Sequence, residues 1–316
     1  MNKDDILKML ETRSPANWYH NIEVLPGSGI FTDPTRTHVN YMHKFKKQGL
    51  DENFWKGKRI LDLGSFSGAL SFFFEEAGAD VVAVDVQDPE ENGFQLLHDI
   101  RKSKVEFRRI SIYDLDPADI GMFDVVNFMG LFYHLKHPLL AMERINAVCK
   151  LGGTLLTVGT TCDRWFHNDD ESCEEGFNLM EISEESVKGL NDLAWCGFAA
   201  DHYYNDTSNW FIPNHECLKG WHKACGFDVV WDDRRVITKQ IVQDGNTKTL
   251  ARSVSEMMSV KKDDSVVEYK AGDYHQHTMG KNSMKGYAIP TSYEVEMLKD
   301  ENKALKKKLN ELEGLI

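Results

Sequence analysis

Glycines and aspartates at the ends of successive predicted strands are the strongest chemical signal in the sequence. The run ILDLGSFSGALSFFFEEAG places Asp62, Gly64 and Gly68 in the spacing D-x-G-x-x-x-G, between a buried strand and a helix. Glycine at such a turn lets the backbone approach a ligand closely. Asp85 ends the next strand, VVAVDV, where its carboxylate can accept two hydrogen bonds from ribose hydroxyls. These positions predict a site for a nucleoside-containing ligand.

The spacing of this turn also indicates which ligand it suits. A dinucleotide site typically has G-x-G-x-x-G, whose glycines cradle a pyrophosphate. Here an acidic residue precedes the glycines and one small residue fewer is present. The turn therefore favours a ligand with a cationic amino-acid end over an anionic pyrophosphate.

In this context the chain resembles the class I S-adenosylmethionine-dependent methyltransferases over about residues 57–160 and 210–235. The runs SIYDL, GMFDVVNFMGLFYHLKHPLLAMERI and NWFIPNHECLKGWHKACGF are similar, more specifically, to the tRNA wobble-uridine carboxymethyltransferase-like family. The resemblance implies S-adenosylmethionine as the cofactor. It also implies the residues that would line it, which are Asp62, Gly64, Ser65, Gly68, Asp85, Gln87, Ser111, Ile112, Tyr113 and Met129.

The same resemblance places Tyr133 beneath the sulfonium and His134 on the acceptor side. Removing a proton from a hydroxyl nucleophile requires a base whose pKa is near neutral, and histidine is the natural choice. We therefore predict that Tyr133 and His134 are the catalytic pair. The alternative is that both side chains only shape the cofactor pocket.

The elements that must position these residues follow from the hydrophobic pattern. From Lys58 onward, apolar strands alternate with helices, which is typical of βαβ units on a parallel sheet. The pattern predicts an α/β fold, and the resemblance implies a Rossmann-like class I methyltransferase sheet with helices on both faces. We divide the chain into an N-terminal helical and loop cap (1–50), a methyltransferase domain (51–290) and a coiled coil (291–316).

An acidic insertion, residues 163–206, interrupts the predicted domain. It holds twelve acidic and two basic residues, a net charge of −10 out of −13 for the whole chain. A solvated acidic lid is the favoured interpretation; the alternative is a divalent-metal site, because carboxylates with one imidazole suit hard cations. The candidate ligands of that alternative are Asp163, His167, Asp169 and Asp170.

The charge and the motifs together favour one function over two others. The favoured function is O-methylation of a hydroxyl on a small molecule, with a sugar or glycan unit as the preferred acceptor. The second is tRNA wobble-uridine modification, as in the resembling family. The acidic insertion would repel a polyphosphate, and the stretch IFTDPTRTHVNYMH lacks the Trp and Lys of the family's carboxylate clamp. The third, a non-catalytic scaffold, is disfavoured by the intact turn and Asp85.

Localisation and assembly complete the expectations. No apolar run approaches the roughly 18 residues that span a bilayer, and MNKDDILKML does not read as a signal peptide. We expect a cytoplasmic protein without membrane association. Leucines seven apart near the C-terminus, with one Asn at a core position and opposite charges flanking them, predict a parallel two-stranded coiled coil and hence a homodimer. The core positions are Val295, Leu298, Asn302, Leu305, Leu309, Leu312 and Ile316.

Overall fold

The main element of the fold is a twisted sheet of seven strands. The structure is a computed structural model, and it describes residues 2–35, 38–163, 189, 192–199, 206–243 and 246–262. The strands are β1 (Arg59–Leu63), β2 (Asp80–Asp85), β3 (Glu106–Arg109), β4 (Phe123–Met129), β5 (Cys149–Thr161), β6 (Cys196–Phe198), β7 (Phe211–Pro213), β8 (Phe227–Gln243) and β9 (Asn246–Lys261). The large sheet has the order β3-β2-β1-β4-β5-β9-β8, and β6 pairs with β7 separately. Strands β1 to β5 are parallel, whereas β9 is antiparallel to both β5 and β8.

The helices connect these strands and cover the sheet. They are α1 (Lys3–Arg13), α2 (Tyr41–Lys46), α3 (Glu52–Trp55), α4 (Ala69–Glu76), α5 (Phe94–Arg101), α6 (Pro117–Ile120), α7 (Pro138–Val148) and α8 (His215–Ala224), with 3-10 turns at Ile112–Asp114 and Phe132–His134. Side chains cap two of the longer ones: Asn2 accepts the Asp5 amide at α1, and Asn214 accepts the Cys217 amide at α8. Such caps satisfy amides that have no partner inside the helix.

The core has two parts, one on each face of the sheet. Successive residues of a strand point to opposite faces, so adjacent apolar residues enter different clusters of buried side chains. Ile60, Val81 and Val125 belong to one cluster, and Leu61, Val82 and Val126 to the other. This two-sided burial confirms the predicted α/β sheet with helices on both faces.

The N-terminal cap packs into the cluster that also contains α4 and α5. Trp18, Ile22, Val24 and Phe45 are all buried there. A Cβ placed on Gly93, just before α5, would lie 2.5 Å from the Trp18 ring. The loop that carries Trp18 therefore packs tightly against the start of that helix. The cap therefore rests on the same side of the sheet as the turn after β1.

Two elements differ from the sequence-based expectation. The run VEFRRISIYDL predicts one long strand, but β3 is short, because the chain leaves it at Arg109 and makes the 3-10 turn Ile112–Asp114. The run ECLKGWHKACGFDVVWDD predicts one helix followed by one strand, whereas the structure has two strands after α8, β8 and β9. The second lacks a clear apolar pattern because its buried positions include serines whose hydroxyls find polar partners: Ser255 contacts Thr161 and Ser259 contacts His222.

Several predicted features lie partly or wholly outside the described residues. The coiled coil (291–316) is outside them entirely, as are His167, Asp169 and Asp170 of the acidic insertion. Residues 1–262 form one compact unit. No helix within the described part of the chain is both long and apolar enough to cross a bilayer.

Candidate active site

The turn between β1 and α4 is built on glycines that no other residue would replace easily. Gly64 has φ +66° and Gly68 has φ +83°, in the left-handed region that favours glycine. A Cβ on Gly68 would lie 2.5 Å from the Phe72 ring and 2.9 Å from Phe94, and one on Gly64 would lie 3.2 Å from Leu131. The Gly68 amide donates to the Ser65 carbonyl at 2.8 Å, which closes the turn.

Asp62 lies buried directly beneath this turn. Its carboxylate accepts the Ser71 hydroxyl at 2.5 Å on one oxygen and the Asn127 side-chain amide at 2.7 Å on the other. Burial raises the pKa of Asp62 to about 6, with a small addition from the charge of Asp85, although both hydrogen bonds oppose the shift. The sequence analysis missed Ser71 and Asn127; the signal available was a polar residue, Asn127, inside the otherwise apolar strand FDVVNFM.

Asp85 joins the end of β2 to the same turn. One carboxylate oxygen accepts the Phe66 amide at 2.8 Å, and the other accepts the Gln87 amide at 2.9 Å. Phe66 has φ +48°, so the carboxylate fixes a non-glycine residue in a sparsely populated backbone conformation. Each oxygen keeps a further lone pair that can accept a ribose hydroxyl. Gln87 takes part through its backbone amide, whereas its side chain is exposed.

The residues predicted to flank the adenine lie just after β3. The Ser111 hydroxyl accepts the Tyr113 amide at 3.3 Å, which shapes the 3-10 turn. Ile112 is buried in the core, and the Tyr113 hydroxyl accepts the His137 amide at 3.1 Å. Met129, at the end of β4, is half-buried against the cluster that holds the cap. Because β3, β2, β1 and β4 are adjacent and parallel, their carboxyl ends bring all the predicted cofactor residues to one edge of the sheet.

The loop after β4 carries the predicted catalytic pair. Tyr133 packs closely over β5, because a Cβ on Gly159 would lie 2.9 Å from its ring. The Tyr133 carbonyl accepts the Trp210 amide at 2.8 Å, which ties the loop to the segment that precedes β7. His134 follows with its ring centroid 4.4 Å from that of Tyr133. The two predicted residues therefore lie side by side at the same edge of the sheet as the glycine turn.

His134 has polar neighbours that the sequence analysis did not identify. Its Nδ1 lies 2.9 Å from the Ser208 hydroxyl and 4.0 Å from a carboxylate oxygen of Asp206. Burial lowers the pKa of His134 below its usual range, although the Asp206 charge and Ser208 act in the opposite direction. The imidazole is therefore neutral at neutral pH and able to accept a proton.

Tyr41, on α2 of the cap, packs against α4, with its ring centroid 5.8 Å from that of Phe73. Burial raises the pKa of its hydroxyl to about 12, and the negative charge of Asp62 adds to the shift. The hydroxyl therefore stays protonated as a hydrogen-bond donor near the buried carboxylate. No sequence motif marked it, because its position depends on how the cap packs against the sheet.

The metal alternative can be compared with the structure only at Asp163 and the other described residues, which give it no support. Of its four candidate ligands the structure describes Asp163, which accepts the His215 amide at 3.0 Å and the Arg234 side chain at 3.2 Å. The described residues contain no group of three or more side chains suited to hold a metal ion. The other three candidates lie outside the described residues.

The residues at this edge fit S-adenosylmethionine. Gly64 and Gly68 leave the backbone bare where a side chain would intrude. The Ser65 hydroxyl is buried and has no hydrogen-bond partner among the described residues, so it is available to a ligand. Asp62 offers a carboxylate to an ammonium group, and Asp85 offers lone pairs to ribose hydroxyls.

Comparison with known proteins gives matches to methyltransferases. Residues 61–157 match the family described as a methyltransferase domain. The ubiquinone biosynthesis O-methyltransferase of Xanthomonas campestris pv. campestris is 36% identical over 100 residues, which are 31% of this chain and 41% of that protein. The tRNA U34 carboxymethyltransferase of Syntrophotalea carbinolica is 25% identical over 175 residues, 55% of this chain and 45% of that protein. The matches thus cover less than half the length of these relatives.

A solved structure is similar over a longer stretch. The N-terminal domain of EvdMO1, determined in the presence of S-adenosylhomocysteine and D-fucose, has a TM-score of 0.51 and 16% sequence identity. The similarity covers 83% of this chain and 97% of that domain. At this identity the likeness concerns the fold, and it agrees with the sheet described above.

Proposed function

We propose that this protein, whose residues 61–157 match a family described as a methyltransferase domain, is an S-adenosylmethionine-dependent methyltransferase that methylates a hydroxyl oxygen of a small molecule. The observation that carries this proposal is the position of His134, which follows β4 at the edge of the sheet where β1 and β2 also end and has its Nδ1 2.9 Å from the Ser208 hydroxyl. A hydroxyl must lose its proton as it attacks, so an unprotonated imidazole on the acceptor side suits an oxygen nucleophile.

Each residue has a distinct part in this proposal. Asp62 and Asp85 bind the amino-acid and ribose ends of the cofactor, and the glycines of the turn allow its close approach. When bound, S-adenosylmethionine supplies an electrophilic methyl group on its sulfonium. His134 accepts the hydroxyl proton at a ring nitrogen, and Tyr133 orients the acceptor against the cofactor edge. The protein contributes mainly by positioning the reacting groups.

A sugar or glycan unit is the acceptor class that we favour. Aromatic residues lie on the segment that is hydrogen-bonded to the His134 loop: the Trp210 backbone amide donates to the Tyr133 carbonyl, and the ring of the next residue, Phe211, lies 5.3 Å from that of Phe198. Phe198 is 57% exposed, which leaves a ring face available for a carbohydrate. The acidic insertion favours an uncharged acceptor over a polyphosphate.

The second candidate is modification of the tRNA wobble uridine. It is favoured by the 25% identity to a tRNA U34 carboxymethyltransferase, which extends over 55% of this chain. This candidate requires a basic surface beside the site and binding that weakens steeply with salt. The net charge of −10 over residues 163–206 argues against it.

Labelled methyl transfer distinguishes these candidates. The full chain is incubated with methyl-labelled S-adenosylmethionine and a panel of nucleotide-sugars, oligosaccharides and tRNA, with and without EDTA. We expect label in a sugar fraction, with no effect of EDTA. Label only in tRNA would establish the second candidate. Absence of transfer together with absence of S-adenosylhomocysteine binding would leave a non-catalytic scaffold.

His134→Gln tests the role of the imidazole. We expect transfer to fall by about a hundredfold or more, because a general base contributes roughly that much, while S-adenosylhomocysteine binds as before. His43→Gln is the matched control, since His43 is an exposed histidine on α2. Unchanged transfer by His134→Gln would reduce His134 to a lining residue.

A further inference from the structure

The His134 side chain is held by a short polar chain from a distant part of the sequence. The Ser208 hydroxyl lies 2.9 Å from His134 Nδ1 and 2.5 Å from Asp206 Oδ1. The Ser208 amide also donates to Asp206 Oδ1 at 2.8 Å, which fixes the carboxylate relative to the hydroxyl. The order of groups is therefore carboxylate, hydroxyl and imidazole.

The direction of these hydrogen bonds follows from the carboxylate. Partial burial opposes ionisation of Asp206, but the hydrogen bonds from Ser208 and the nearby His134 outweigh it and hold the pKa below its usual range. An ionised carboxylate only accepts hydrogen bonds, so the single proton of the Ser208 hydroxyl points to Asp206. The Ser208 oxygen must then accept from His134, which places the proton of the neutral imidazole on Nδ1.

We propose that Asp206 and Ser208 are positioning residues that hold His134 as the Nδ1–H tautomer, so that Nε2 is the atom that receives the acceptor's proton. This inference rests on the proposed function for its catalytic meaning, but the tautomer is a property of the protein alone. A histidine that acts as a base needs its free lone pair directed at the substrate, and the hydrogen bond at the other ring nitrogen decides which nitrogen that is.

The surrounding backbone holds the two segments in register. The Trp210 amide donates to the Tyr133 carbonyl at 2.8 Å, one residue from His134. Cys162 adds a second tie, because its amide donates to the Pro213 carbonyl at 3.1 Å and its thiol to the Ile212 carbonyl at 2.9 Å. These hydrogen bonds hold residues 206–213, which include Asp206 and Ser208, against the His134 loop and the end of β5.

Nuclear magnetic resonance of the full chain labelled with ¹⁵N-histidine reads the tautomer without substrate. Two-bond ¹H–¹⁵N correlations distinguish the two neutral forms, and His134→Gln assigns the signal. We expect the Nδ1–H form in the wild type and a shift towards the Nε2–H form in Ser208→Ala. Ser208→Thr retains a hydroxyl and is expected to restore the wild-type form. The Nε2–H form in the wild type, or an unchanged spectrum in Ser208→Ala, would overturn the inference.

Kinetics then separate positioning from a structural role. With an acceptor found, Ser208→Ala should lower kcat by about tenfold to a hundredfold and leave the affinity for S-adenosylhomocysteine unchanged. Asp206→Asn should also move the acid limb of the pH profile to lower pH, because removing the carboxylate charge lowers the pKa of His134 further. If His134→Gln is fully active while the wild type shows the Nδ1–H tautomer, His134 is not the base, but Asp206 and Ser208 still set its tautomer. Loss of activity in His134→Gln with no tautomer change in Ser208→Ala would defeat only this inference.

Discussion

The carboxylate of Asp85 accepts the backbone amide of Phe66 at 2.8 Å, and this hydrogen bond joins the end of β2 to the glycine turn after β1. Phe66 has φ +48°, a conformation that costs free energy for a residue with a side chain. The hydrogen bond helps to hold the turn in this conformation before any ligand arrives. Asp85 therefore serves the site in two ways, as a ligand-binding carboxylate and as a clamp on the turn.

The packing around Gly68 can be separated from its backbone conformation. Gly68→Ala introduces a left-handed alanine and a Cβ only 2.5 Å from the Phe72 ring. Gly152 has a similar φ of +74°, and a Cβ added there would meet nothing within 4 Å, so Gly152→Ala is the matched control. We expect Gly68→Ala to lower the free energy of unfolding by about 2–4 kcal/mol, against about 1 kcal/mol for the control. If urea unfolding shows the same loss of free energy for Gly68→Ala and Gly152→Ala, close packing of Phe72 against Gly68 does not limit that position.

We expect the ionised carboxylate of Asp62 to lower the stability of the free protein at neutral pH. Its pKa rises from 3.8 to about 6 on folding, so the folded state binds the proton more tightly than the unfolded state. The favourable contribution is therefore complete below pH 3.8 and is lost as the pH rises through about 6. At pH 8, Asp62→Asn should raise the free energy of unfolding by about 1–3 kcal/mol and weaken S-adenosylhomocysteine binding.

Urea unfolding at several pH values checks this. The gain from Asp62→Asn should shrink as the pH falls below about 6, because the wild-type carboxyl then becomes neutral too. Asp80→Asn is the control, since the Asp80 side chain is 74% exposed. A variant that is less stable than the wild type at pH 8, or a gain that does not depend on pH, would show that the burial of Asp62 is not the cause.

Glu256 on β9 anchors the N-terminal cap to the sheet. It is buried, accepts the Gln48 side-chain amide at 3.3 Å, and forms ion pairs with Lys44 at 3.6 Å and with Arg235. Glu256→Ala would leave Lys44 and Arg235 without their carboxylate, and because these side chains are 23% and 42% exposed, we expect a loss of about 1–3 kcal/mol in the free energy of unfolding.

Glu52→Ala removes the matched exposed ion pair, in which Glu52 lies 3.2 Å from Lys46. Exposed pairs contribute about 0–1 kcal/mol, so little change is expected in denaturant unfolding of this variant. A Glu256→Ala protein as stable as Glu52→Ala would contradict the anchoring role.

The predicted coiled coil (291–316) accounts for the expected homodimer. Leucine at each d position and one Asn at an a position favour two parallel strands, because the paired Asn side chains satisfy each other in that arrangement. Light scattering should give the mass of two chains for the full sequence and of one chain for a protein that ends at Thr291. A truncated protein that remains a dimer would show that the tail is not the dimerisation element.

The sequence predicted those parts of the site that depend on local pattern. Asp62, Gly64, Gly68 and Asp85 follow from the strand ends and the turn, since parallel strands bring their carboxyl ends to one edge. The place of His134 on the acceptor side came from the family resemblance, and His134 lies in the 3-10 turn five residues after β4 ends at Met129. Its neighbour Ser208 could not be predicted: the two are 74 positions apart, and the whole acidic insertion lies between them.

Two further features depend on tertiary packing and were missed for that reason. The hydrogen bond from Ser71 to Asp62 forms only because α4 packs on β1 with the face that carries Ser71 turned towards the strand. The hydrophobic pattern did not reveal strand β9, because serines occupy several of its buried positions. A buried serine hydroxyl needs a hydrogen-bond partner, and here other elements supply it, such as His222 on α8.

Calorimetric titration of S-adenosylhomocysteine into the wild type, Asp85→Ala and Asp80→Ala tests the central claim most directly. We predict one binding site in the wild type and affinity weakened at least about tenfold in Asp85→Ala, because a hydrogen bond to a charged group contributes about 1.5–3 kcal/mol. Asp80→Ala, at the opposite end of the same strand, should bind as the wild type does. Absence of binding by the wild type, or equal affinity in Asp85→Ala, would contradict the assignment of the cofactor site.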